Sequence, residues 1–249
     1  MIESIVICKT LPDAYHKALV NLHECGQFVP CPDWNTSQKE MSMTMVVKEP
    51  LAEPMISRLF IGGPRELEQY RQEVLYGILD FEIDKCNWTY TYHNRMVNYD
   101  GIDQIQFVID ELRRNPYSRR AVIAIRDVKV DISNNDPACM QHIQYFIRNN
   151  RLDCSVLFRS NDACKATFMN AFALIMLQKY IADELGCEVG SYTHRANSFH
   201  CYERDFDMLN GYVKRILDYT DITYDYNGDW DTLMDEAKPD IDKMIKELS

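Results

Sequence analysis

Phe168 to Leu185 restricts this 249-residue chain more than any other stretch: it is strongly apolar, has helical spacing and stops at Gly186. A helix with so little polar surface belongs in the interior of a domain. The rest of the chain must therefore supply layers that cover it. With 46% apolar residues over this length a real core can be built, which excludes a disordered or collagen-like chain. No apolar run reaches the ~20 residues of a membrane-spanning helix.

The covering layers can be read from spacing. Residues 138 to 148 and 151 to 159 are extended runs rich in Ile, Tyr, Phe, Val and Leu, and Asn149-Asn150 between them can take the positive φ of a tight turn. An antiparallel hairpin is predicted. Ser4 to Lys9, the alternation of Met41, Met43 and Met45, Arg120 to Val128, and Ser191 to Tyr202 read as further strands. Helices are predicted from the Thr10 cap to Gly26, from Pro64 through Leu67, Tyr70, Val74 and Ile78, from Ile102 to Leu112, over Leu209 to Leu217, and near the charged end. Asn115-Pro116 ends the third of these, because the residue before a proline is pushed out of the helical region. No linker or repeat divides these elements, so residues 1–249 are expected to form one α/β domain.

Charge narrows the ligand. Lys and Arg number 27 against 38 Asp and Glu, a formal net charge of −11. Such a surface argues against nucleic acid and anionic membranes as partners, since both are bound through broad basic faces. An anionic ligand has to be met by a local cluster of cations. Nine cysteines occur without a Cys-x-x-Cys pair, His-Glu-x-x-His is absent, and the first residues lack a basic segment followed by a long apolar run. The expectation is a reducing cytoplasm, most thiols packed as small hydrophobes, and no metal.

Polar residues within otherwise apolar elements mark the chemistry. Cys139 and Arg159 each lie about ten residues from the Asn149-Asn150 turn, so the hairpin brings them together. A cation beside a cysteine lowers the thiol pKa and favours the nucleophilic thiolate. The alternative is that Arg159 pairs with Asp162 as a strand-end ion pair. Arg119 and Arg120 are either a pair of forks for a phosphate or solvated surface. His200 and Tyr202 stand two apart on a strand and face the same side, so they can reach one ligand together.

Taken in order, these residues resemble the thymidylate synthase family: Asn115-Pro-Tyr-Ser-Arg-Arg120, Pro137-Ala-Cys139 with Gln144-Tyr-Phe-Ile-Arg148, Arg159-Ser-Asn-Asp162, Asn170, and His200-Cys-Tyr202. The resemblance runs through about residues 64 to 206 and is nearest to the shorter proteins of archaeal type. The Arg-Ser-Asn-Asp stretch is also like that of the phage pyrimidine-nucleotide hydroxymethylases. A thymidylate synthase-type fold is implied, a mixed sheet flanked by helices, with two subunits packed sheet to sheet as a homodimer. The resemblance makes Cys139 the nucleophile that adds to C6 of a pyrimidine nucleotide, Arg159 both a phosphate contact and a thiolate partner, and Ser160 a further phosphate hydrogen bond. Arg119 and Arg120 match the pair that reaches the other subunit's phosphate, His200 and Tyr202 bind the sugar hydroxyl, and Asp162 matches the carboxylate tied to folate binding and proton movement.

Glu66 matches the glutamate that assists protonation, with Glu68 competing for the role. Partial burial beside Leu67 and Tyr70 is expected to raise the Glu66 pKa, and an exposed first-turn glutamate is the alternative for either. Tyr92 resembles the tyrosine that helps abstract the C5 proton, or is a core aromatic. Asn170 would accept from N3–H and donate to O4 of uracil, where cytosine-specific relatives carry aspartate; a buried capping residue is the alternative.

The reaction implied is C5 methylation of dUMP to dTMP with 5,10-methylene-tetrahydrofolate or a related reduced pterin. The alternatives are 5-hydroxymethylation of dUMP, dCMP or CMP, and a nucleotide-binding homologue without turnover. The folate half departs from the family pattern. Met140 stands where His is usual, Phe158 where Gln is usual, and Ala166 and Met169 replace residues that line the folate pocket. The early phosphate-binding arginine loop is not recognisable, with Lys39 the nearest candidate, and the ending Lys-Glu-Leu-Ser249 does not match the family's apolar tail.

Overall fold

The computed structural model covers residues 1–249. Strand β1 (Glu3–Cys8) leads into α1 (Leu11–Cys25), whose first turn is closed by Thr10 accepting from the Asp13 N–H at 3.4 Å. Then come β2 (Gln27–Cys31), β3 (Thr36–Val47), β4 (Ile56–Ser57), α2 (Pro64–Tyr76), α3 (Phe81–Asp84) and α4 (Tyr92–Val97). The middle of the chain forms α5 (Gln104–Arg114), β5 (Val122–Ala124), α6 (Val128–Asp131), β6 (Met140–Arg148) and β7 (Arg151–Asp162). It ends with α7 (Thr167–Leu185), β8 (Glu188–Tyr202), α8 (Phe206–Asp218), β9 (Thr223–Tyr224) and α9 (Asp231–Leu248).

The main sheet has the order β1-β3-β8-β7-β6-β5, with β2 paired to β3. It is mixed: β1 with β3 and β7 with β8 run parallel, and the other pairs are antiparallel. Asn149 at φ 50° and Asn150 at φ 60° make the tight turn that joins β6 to β7, as their spacing predicts. Helix α7 lies in the interior, buried from Thr167 to Gln178 except Met169, and packs on α2, α5, β7 and β8. Gly186 stops it at φ 67°.

Local details differ from the spacing-based expectations where backbone chemistry overrides periodicity. Helix α2 stops at Tyr76 because Gly77 turns left-handed at φ 63°, which leaves Ile78 outside it. Ile102 is exposed ahead of α5, which begins after Asp103 accepts from the Gln106 N–H at 2.9 Å. The strand expected over Arg120 to Val128 is only Val122–Ala124, since Asp127 accepts from the Lys129 N–H and starts a helical turn. No helix is long and apolar enough to cross a membrane.

Candidate active site

The β6–β7 hairpin carries the centre of the site. The Arg159 N–H donates to the Cys139 carbonyl at 2.8 Å, and the Arg159 guanidinium donates to the Ala138 and Pro137 carbonyls at 3.1 and 2.5 Å. Arg159 therefore braces the segment that presents Cys139 and does not pair with Asp162. The expected depression of the thiol pKa is not found. Burial pushes the Cys139 thiol above its ordinary value, and the pull of Arg159 in the opposite direction is weaker. Tyr92, the first residue of α4, reaches the same place: its hydroxyl accepts from the Met140 N–H at 3.3 Å, and burial keeps it protonated.

Cys139, Arg159, Ser160, Asp162 and Asn170 line one cavity of about 330 Å³, together with Tyr92, His200 and Tyr202. Asn170 projects from the first turn of α7, where its Oδ1 accepts from the Tyr70 hydroxyl. Asp162 closes the turn before α7 by accepting from the Cys164 and Lys165 N–H groups at 3.0 and 2.9 Å. His200 and Tyr202 meet edge to face with ring centroids 4.7 Å apart. Burial lowers the His200 pKa, so the ring is neutral. Its Nδ1 lies 3.2 Å from the Ser198 carbonyl, which assigns the proton to Nδ1. Nε2 is then a buried acceptor, and it has no partner in the chain. An acceptor left open in this way can take a hydrogen bond from an O–H or N–H brought into the cavity.

The remaining candidates lie elsewhere. Glu66 is exposed, and its carboxylate accepts from the Gly63 N–H at 2.8 Å to cap α2; the expected partial burial fails because the first turn faces solvent. Glu68 is buried, but its carboxylate is filled by Arg71 at 2.8 and 2.7 Å and Gln72 at 2.9 Å. Neither lines the cavity. Lys39 donates to the His23 carbonyl and lies 5.3 Å over the Phe28 ring, so it does not replace a phosphate-binding arginine. Arg119 and Arg120 are exposed between α5 and β5 and line a separate shallow groove.

Sequence reasoning missed three residues. Glu73 lies on α2 one turn beyond Tyr70, in a second cavity of about 210 Å³ that shares Tyr70 and Tyr92 with the first. Burial raises its carboxyl pKa, against a hydrogen bond from Gln69 at 2.9 Å. The signal was available in the i, i+3 spacing from Tyr70. Trp88 faces the same second cavity, and Trp34, on the turn between β2 and β3, lines the first. No group of three or more His, Cys, Asp or Glu side chains is placed to hold a metal ion.

A family model described as thymidylate synthase matches residues 68–236. A protein of Methanocaldococcus jannaschii, described provisionally as a thymidylate synthase, is 38% identical over 167 residues, which is 63% of this chain and 72% of that protein. One of Methanosarcina barkeri with the same description is 31% identical over 218 residues, covering 86% of this chain and 97% of that one. The fold matches the solved thermostable thymidylate synthase A of Bacillus subtilis with a TM-score of 0.66 at 17% identity, over 83% of this chain and 84% of that one. The match of the family model to most of the sequence, the near full-length match to the Methanosarcina relative and the shared fold agree: this chain belongs to the thymidylate synthase family.

Proposed function

We propose that this chain methylates C5 of dUMP to give dTMP, with a methylene-carrying reduced pterin such as 5,10-methylene-tetrahydrofolate as donor. The observation that carries this reading is one cavity lined by a braced cysteine, an amide on α7 and a neutral imidazole with a free acceptor. Cys139 Sγ adds to C6 of the base, and the electron pair moves toward C5 and O4, where the Asn170 amide donates. The Nε2 of His200, whose ring meets that of Tyr202, accepts from a sugar hydroxyl. Arg159 and Ser160 meet the phosphate, and Asp162 holds the turn that sets the start of α7.

Glu73 replaces Glu66 as the carboxyl that supplies and recovers protons, because it is half-buried, holds its proton to a higher pH and lines a cavity with Tyr70 and Tyr92. The second cavity, with Trp88, Tyr90 and Glu73, suits a flat heteroaromatic ring bearing N–H groups. The donor bound there would supply the one-carbon unit and a hydride. Tyr92 holds the backbone beside Cys139 and is placed to relay the proton lost from C5.

Assembly as a homodimer is part of the proposal. Ile5 and Ile7 of β1 are 66% and 58% exposed and alternate with buried Val6 and Cys8, so two large apolar side chains stand uncovered on one face of the sheet, beside the Arg195–Glu3 ion pair. A second copy on that face would bring Arg119 and Arg120 to the partner's phosphate. Nine free thiols support a cytoplasmic setting. Hydroxymethylation is the second reading, favoured by Ala166, whose single methyl in the cavity wall leaves room for water.

Incubation with dUMP, dCMP, UMP and CMP plus methylene-tetrahydrofolate, followed by product mass, tests both readings. A gain of CH2 on dUMP is expected, a gain of CH2O assigns hydroxymethylation, and no change with any pairing refutes turnover with that donor. Cys139→Ser is expected to abolish turnover and retain nucleotide binding; an active variant would refute the nucleophile.

A further inference from the structure

Asn161 is 3% exposed and lies on β7 between Ser160 and Asp162, yet it lines the cavity that holds Cys139. Its amide is held at one end. His194 Nε2 lies 2.8 Å and the Thr167 hydroxyl 2.9 Å from Asn161 Oδ1. The Thr167 hydroxyl lies equally 2.9 Å from the Asp162 carbonyl, and the direction of the His194 bond follows from the other side of the ring. His194 is 1% exposed, and burial lowers its pKa to about 3, so it is neutral and carries one N–H. The Tyr192 hydroxyl lies 3.0 Å from His194 Nδ1 and has no other acceptor, so it donates there. The ring proton is then on Nε2 and is donated to Asn161 Oδ1. Phe158 stacks on the imidazole at 4.6 Å and fixes its plane.

With Oδ1 engaged, the Asn161 Nδ2 is left without a partner in the chain and is not among the sealed, unsatisfied polar atoms. It is the end that meets the cavity. Thr167 opens α7 and Asn170 follows one turn later with its own Oδ1 taken by Tyr70, and both asparagines line the same cavity. We infer that Asn161 is a specificity-determining residue for the base, a second fixed donor that with Asn170 selects a pyrimidine with an exocyclic oxygen at C4 over one with an amine. A carbonyl oxygen has two lone pairs and accepts from both amides. An amine would present N–H groups to N–H groups and leave buried donors unpaired, which is how polar sites reject near-isosteres. The inference rests on the nucleotide reading above.

The test is binding of dUMP and dCMP by calorimetry to the full chain and to Asn161→Asp. The substitution keeps the oxygen that accepts from His194 and changes only the cavity end, from donor to acceptor. The dUMP-to-dCMP affinity ratio is expected to fall at least about tenfold at neutral pH and to recover as pH is lowered and the new carboxyl gains a proton. An unchanged ratio in a variant with wild-type thermal stability would overturn the inference and leave the nucleotide reading standing. If Asn161→Asp does not fold, Asn161→Ser is expected to weaken dUMP more than dCMP, and equal losses would overturn the inference. Wild-type protein that binds neither nucleotide refutes the nucleotide reading and the inference with it.

Discussion

Glu66 and Glu73 stand on the same helix and end in different media. The Glu66 carboxylate caps an exposed turn, whereas Glu73 is half-buried, lines a cavity with Tyr70, Trp88 and Tyr92 and holds its proton to a higher pH. Glu73→Gln is expected to lower kcat by about 10²- to 10³-fold, the range of a lost acid–base group, while Glu66→Ala leaves kcat within about twofold. Thermal unfolding separates the two effects. A carboxyl whose folded pKa is raised costs stability once pH exceeds its unfolded value, so Glu73→Gln should melt higher than wild type at pH 7.5. Glu66→Ala should melt lower, through loss of the cap. The pH profile carries the same signs. Cys139 is raised by burial, so the acid limb of kcat/KM lies above the ordinary thiol value and activity climbs with pH. A profile already flat at neutral pH would contradict that direction.

At the scale of elements, the site depends on how α2 meets α4. Gly77 ends α2 at φ 63°, and a Cβ there would stand 2.1 Å from His93 Nδ1. His93 Nδ1 is bonded to Asp80 Oδ2 at 2.7 Å, and Thr91 donates to the other oxygen of Asp80. Gly77→Ala must therefore both strain the backbone and break the His93–Asp80 contact, an expected loss of about 2 kcal/mol or more. Unfolding in urea measures it, and the double variant Gly77→Ala/His93→Ala is expected to regain part of the loss. No recovery would mean that the backbone alone carries the cost. The hairpin and α7 were legible in advance because a two-residue Asn-Asn turn and an apolar helical period are local signals. The short helices α3 and α4 were not, since tertiary packing and the Thr91 cap hold them rather than length or periodicity.

For the whole molecule, the charge that would meet the phosphate of the proposed nucleotide is divided between two places. Within one chain the cavity has Arg159, while Arg119 and Arg120 line another groove. If they act across a dimer, mixing Cys139→Ser with Arg119→Ala/Arg120→Ala subunits restores activity: each mixed dimer has one site with an intact thiol and intact arginines. Random reassortment should give about a quarter of wild-type activity from two inactive parents. No restoration, with mixed dimers confirmed by mass, would place the arginines in their own subunit's site or in none.

What the sequence determined by itself was what short-range rules control. Turn chemistry and strand period placed Cys139 beside Arg159, put His200 and Tyr202 on one face, and sent residues 168 to 185 inside. Only the tertiary structure decided the rest. Whether a glutamate is wet or dry, whether burial or a neighbouring guanidinium governs a thiol, and which end of the Asn161 amide is free depend on atoms brought together from distant segments. Desolvation is a collective property of the packed chain, and no residue's neighbours in sequence reveal it.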